Sequence, residues 1–212
     1  MTRRDLVIHT LLQAPIALFA VSCARPSPAV LRPLLNSERI ELVFGSYGLE
    51  ILESDQRLRI SNLYSRDGAR PICRTFAVVL FPPAIDPRIA GEQLEILAGG
   101  SIGAVMKRAG FTVERRNLYF GELPPDRRRE RLRRLMGGPG ERTLAVHAYT
   151  MVLHRGDLAI EYATIAEVHH PAFLDLDDLA GIYGSEVAAR SRPGAEVAAL
   201  LELVEVAARR GP

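Results

Sequence analysis

Tryptophan is absent from the 212 residues, lysine occurs once (Lys107) and cysteine twice. Two thiols exclude a disulfide-dense scaffold and a zinc site built on several thiolates. No charge of one sign dominates: 27 Lys plus Arg stand against 25 Asp plus Glu, so a formal +2 gives no overall pull toward nucleic acid. No serine stands in a nucleophile-elbow pattern, no glycine loop has nucleotide-binding spacing, and no internal repeat is present. What is present is a globular balance, 48% hydrophobic and 25% charged. The length suits one sizeable domain.

The chain opens Met1-Thr2-Arg3-Arg4-Asp5, then runs mostly apolar from Leu6 to Val21, interrupted by His9, Thr10, Gln13 and Pro15. A basic start, an apolar stretch and the small Ser22 ahead of Cys23 have the order of an export signal. In a helix this stretch reaches about 24 Å, short of a ~30 Å hydrocarbon core, which disfavours a permanent span. Ala20-Val21-Ser22-Cys23 resembles the lipobox of bacterial lipoprotein precursors, with Ala20 where leucine is usual and Val21 where a smaller residue is frequent. The resemblance implies that Cys23 is acylated and becomes the new N-terminus. Thr2-Arg3-Arg4-Asp5-Leu6-Val7 is also similar to the twin-arginine export motif, with Ile8 in place of its common lysine; that implies folding before export. Ala24, rather than Asp, implies sorting to the outer membrane by the enteric rule, with the domain facing the periplasm. The plainer readings are an uncleaved anchor, or a buried helix with Cys23 incidental.

From Ala24 to Pro33, Pro26, Pro28 and Pro33 with Ser27 favour extended chain. Residues 1–22 are thus expected to be a signal, 23–36 a lipidated tether and 37–212 a single domain. Without cleavage a Cys23–Cys73 disulfide becomes possible in an oxidising compartment. Otherwise Cys73, in an apolar β-run, reads as a small buried hydrophobe.

Within the body, 37–44 is expected to be helical and Gly45-Ser46-Tyr47-Gly48 a turn. Strands are expected at 49–52, 57–64 and 72–81, the last two joined at Asp67-Gly68. Helices follow at 89–97 and from Ser101 to Arg108, with Gly110 at the left-handed cap position. A strand over 111–120 changes parity at Arg115-Arg116, which suggests a bulge. Asp126 starts a short helix ended by Gly137-Gly138. Leu144, Val146, Ala148, Thr150 and Val152 alternate along one strand, and Leu158, Ile160, Tyr162, Ala166 and Val168 along the next. A three-residue loop, Arg155-Gly156-Asp157, would place His147 opposite Ile165. Val197, Leu200, Leu201, Val204 and Ala208 form the stripe of a final helix. The sum is an α+β domain: an antiparallel sheet of about five to seven strands with helices mainly on one face.

His147, Glu167 and His169 fall on the second face of the 144–169 hairpin. Two imidazoles and a carboxylate there can bind a divalent metal, or serve as a general base with its partner. A polar, solvated outer face predicts the same residues without any site. Gly99-Gly100-Ser101-Ile102-Gly103 can offer Ser101 and backbone N–H groups to an anion, and Arg74, between Ile72 and Phe76, can fix a bound acid or form an internal salt bridge. Arg127, Arg128 and Arg131 crowd a short helix and can touch anionic headgroups beside a membrane. The leading expectation is an exported, lipid-anchored envelope protein with a binding or scaffolding domain. A metal-dependent or general-base enzyme and a small anionic-ligand binder are the alternatives; no nucleic-acid partner is expected.

Overall fold

The computed structural model describes residues 26–140, 142–184 and 193–209. Its six strands form one antiparallel sheet in the order β1-β2-β3-β6-β5-β4. They are β1 (Gly48–Ser54), β2 (Leu58–Asp67), β3 (Arg70–Leu80), β4 (Thr112–Leu123), β5 (Leu144–Arg155) and β6 (Leu158–His169). Two three-stranded meanders meet where β3 pairs with β6, which puts those two strands at the centre. The expected α+β class is the class observed.

Both faces of the sheet are covered, by different helices. Over the first lie α1 (Pro28–Leu31), α2 (Asn36–Phe44), α3 (Ala90–Leu97), α4 (Ile102–Arg108) and α6 (Leu176–Tyr183). Over the second lie α5 (Glu130–Leu135) and α7 (Ala195–Arg209), packed on Phe76, Val78, Val146 and Val168. The α7 stripe works as its spacing predicts: Val197, Leu200, Val204 and Ala208 are buried against the sheet. Central strands covered on both sides should read as continuous apolar runs, and 76–81 does. Glycine ends several helices where φ must turn positive; Gly110 follows α4 at φ 81°.

Three expectations need correction. The packed body begins before residue 37. Pro28–Leu31 is a short helix rather than extended chain, and Leu31, 2% exposed, packs with Phe120, Phe173 and Leu179. Proline at the first helical position costs nothing, since its missing N–H would lack an intrahelical partner anyway. Second, the β5–β6 turn has two residues, with Arg155 paired to Leu158, and a bulge between Met151 and Val152 shifts the register again. His147 therefore faces Glu167, not Ile165. The two shifts add to an even number, so the alternating faces stay as read. Third, the β4 bulge falls between Asn117 and Tyr119 rather than at Arg115-Arg116.

Candidate functional site

The face of the 144–169 hairpin that carries His147, Glu167 and His169, which is the first face of the sheet, is no solvated surface. His147 is 0%, Glu167 6% and His169 1% exposed. The registers set them in rows across the sheet: Arg59–Val79–Ile165–Tyr149, then Ser61–Ala77–Glu167–His147, then Leu63–Thr75–His169. The start of α2 and the turn into α4 close over these rows. Between lies a cavity of about 70 Å³, room for about two waters or an organic molecule of similar bulk. Asn36, Arg59, Ser101, Arg115, Tyr149 and Glu167 give it polar lining, and Leu35, Leu63, Val79 and Ile165 supply apolar wall.

Arg59, on β2, is 2% exposed. Its Nη1 donates to the carbonyls of Ile96 (3.0 Å) and Gly100 (2.8 Å) at the end of α3, where the helix carries partial negative charge. Its Nε has no partner. Burial lowers its pKa, yet a guanidinium stays charged at any physiological pH. Arg115 enters from β4, its guanidinium carbon 5.6 Å from the centroid of the Tyr149 ring, and its buried Nε is also unpartnered. Burial works against that charge, but Tyr149, Tyr183 and Glu167 outweigh it and raise the pKa.

Glu167 forms the acidic part of the floor. Asn36 Nδ2 donates to its Oε1 at 3.1 Å and the Tyr149 hydroxyl at 3.3 Å. Burial still raises its pKa, against the pull of Arg115 and Arg39. Asn36 also donates to Thr75 Oγ1, which leaves the Thr75 hydroxyl to donate to His169 Nδ1, 3.1 Å away. That assignment puts the His169 proton on Nε2, facing Glu167 Oε2 at 3.9 Å. Burial holds His169 neutral, its pKa down to about 3.

His147 donates from Nε2 to Asn117 Oδ1 at 2.8 Å, so its Nδ1 is a buried acceptor without a partner. Phe120 stacks on it at 4.5 Å between centroids, and Tyr183 and Tyr149 tilt against it at 4.6 and 4.7 Å. Burial carries its pKa well below 6.5. The hydrogen bonds of both imidazoles fix their rings without converging on a common point. Among the described residues no group of three His, Cys, Asp or Glu side chains is arranged to hold a metal.

The other sequence candidates separate. Ser101 lines the cavity and makes no capping bond to α4. Arg74 does not reach the cavity: its Nε donates to Ser65 Oγ at 2.7 Å and its guanidinium lies 3.8 Å over the Phe44 ring. A hydroxyl and a ring, rather than a salt bridge, occupy it. Arg131 is held by Glu53 at 2.7 Å and Arg128 lies 3.7 Å from Asp126, so Arg127, Arg128 and Arg131 are not one equivalent cluster. Cys73 is free and fully buried, with burial pushing its thiol far up, as for a small hydrophobe. Cys23, and with it the lipobox, the twin-arginine pair and the alternative disulfide, lies outside the described residues.

Sequence reasoning missed Arg59, Arg115 and Asn36. The signal for Arg59 was its place opposite Ile60 in an alternating strand, and the alternation alone reads as a wet face. No protein-family model matches the chain, and no curated protein matches it.

Proposed function

We propose that this chain is the precursor of an exported, lipid-anchored envelope protein whose α+β domain binds a small acidic ligand in the cavity between α2, α4 and the sheet. The address is supported by Met1–Cys23, with its basic start, short apolar stretch and lipobox-like end. Binding is supported by one observation above all: two arginines, Arg59 and Arg115, line a single cavity with an unpartnered Nε each. A buried donor without a partner costs about 1–3 kcal/mol, more when charged, and both guanidiniums bring positive charge to the lining that a carboxylate in the cavity would meet. The one acid there, Glu167, has a raised pKa, so it opposes an anion less than an ordinary carboxylate does. The volume suits an acid of about two or three carbons.

A second reading has its own observation. A carboxyl of raised pKa lining a cavity is equipped to pass a proton to whatever binds there, which makes Glu167 a candidate general acid or base. Consumption of the bound acid, abolished in Glu167→Gln with binding retained, would establish catalysis over simple binding.

Native mass spectrometry of protein extracted from membranes, then mixed with small carboxylates, tests both halves of the proposal. The expected species begins at an acylated Cys23 and carries one non-covalent acid. A chain that keeps an unmodified Met1 contradicts the address. A chain that takes up none of the acids contradicts the binding.

A further inference from the structure

On the face of the sheet opposite the cavity, the segment 124–129, α5 and residues 139, 140 and 142 line a concavity of about 500 Å³. Four arginines line it, Arg127, Arg129, Arg133 and Arg142, with one acid, Asp126, among the described residues. Arg129 is committed: Glu205 takes its Nε (2.9 Å) and Nη2 (2.6 Å), and the Pro124 carbonyl takes its Nη1. Asp126 accepts the backbone N–H of Arg128 at 2.9 Å. Arg127, Arg133 and Arg142 are exposed, and among the described residues their guanidinium groups have no hydrogen-bond or ion-pair partner. Among the described residues the groove therefore holds more positive than negative charge in a concave site, which a flat solvated face does not provide.

Its position matters as much as its charge. Leu144, on the groove wall, is paired with Leu123 at the end of the β4–β5 ladder. The next residue, Ala145, points to the other face and packs in the cluster that contains Leu31 of α1. The chain thus joins the body at the same end of the sheet as the groove. Pro28 already belongs to α1, so only five positions separate it from Cys23. Fully extended, they span at most about 18 Å.

We propose that this groove is the surface on which the anchored domain rests against the membrane, with Arg127, Arg133 and Arg142 taking the phosphates of anionic phospholipid headgroups. The proposal rests on the lipid-anchored reading above. A tether this short keeps the groove's end of the domain beside the headgroups. Each basic residue close to an anionic surface is worth about a fivefold preference, so three give a preference on the order of a hundredfold.

The test uses full-length acylated protein, its Cys23 adduct verified by mass, in vesicles of phosphatidylcholine alone or mixed with phosphatidylglycerol. Amide exchange over 124–142 should slow on the order of tenfold with the anionic lipid. The effect should vanish in the Arg127→Gln/Arg133→Gln/Arg142→Gln variant, whose melting temperature should match the parent because all three side chains are exposed. Equal exchange on the two vesicles, with Cys23 acylated, overturns the groove and leaves the anchor standing. An unacylated Cys23 overturns both. Slowing by inorganic phosphate on pure phosphatidylcholine, with none from the anionic lipid, assigns the groove to a soluble anion and overturns membrane docking.

Discussion

Burial moves the pKa values of Glu167 and His169 in opposite directions, and the difference is measurable. Burial keeps the proton off His169 until about pH 3, whereas an imidazole in the unfolded chain takes it up near 6.5. Between those values the unfolded chain binds more protons, so stability falls as pH drops, by about 1.4 kcal/mol per pH unit for such a histidine. His147 acts in the same sense. Glu167 acts in the other: its raised pKa contributes stability that is full below the ordinary carboxylate value of 4.5 and is lost as pH rises through its value in the fold. His169→Gln is therefore expected to remove about one proton from the uptake on unfolding at pH 5, read as a shallower slope of denaturation free energy against pH. An unchanged slope would mean that His169 already titrates normally in the fold.

Arg39 shows what full compensation of a buried charge looks like. Its Nε and Nη2 donate to the carbonyls of Leu31 (2.8 Å) and Arg32 (3.2 Å), and its Nη1 to the Tyr183 hydroxyl (3.1 Å). These bonds take up free carbonyls at the end of α1 and fasten it to α6. Leu31→Ala should then cost about 2–5 kcal/mol, the range for emptying a buried leucine site. Were 23–36 a solvated tether, the same change would leave the unfolding midpoint in urea where it was.

Strongly periodic elements were legible from the amino-acid order: the two alternating strands of 144–169, the α7 stripe, the turn at Asp67-Gly68 and the cap at Gly110. Their signals are local, set by backbone period and by glycine's access to positive φ. The β5–β6 register was not legible, because a bulge and a shorter turn leave the alternation of faces unchanged. Nor was the cavity. Arg59, Glu167 and His147 read as wet-face residues until α2 and α4, contributed by other parts of the chain, are laid over them. Asn36 falls one position outside the helix expected from 37, because the N-cap of α2 is Leu35, which carries no capping signal; Pro28–Leu31 is hidden by three prolines in a short helix that only tertiary packing stabilises.

The covered sheet presents two arginine-lined places, a smaller one under α2 and α4 and a larger one beside α5, on opposite faces. A protein with a formal charge of only +2 can still hold anions where its arginines lack partners. Among the described residues no helix is long and apolar enough to cross a bilayer; in the proposed reading membrane association falls to Cys23. Cys23→Ser should move the protein out of its membrane-bound position in cell fractionation, since stable anchoring depends on the acyl chains. Identical distributions for the two proteins would remove the basis for the anchor.

The claim that Arg59 and Arg115 await an acid is tested most directly by thermal unfolding with small carboxylates and their matching amides. A ligand at a hundred times its dissociation constant stabilises by about 2.7 kcal/mol, which for a domain of this size raises the midpoint by roughly 5–10 °C. One or more acids should give that shift, their amides should not, and Arg115→Gln should abolish it while still melting cooperatively. Equal shifts from acid and amide, or the same shift in wild type and Arg115→Gln, would contradict it.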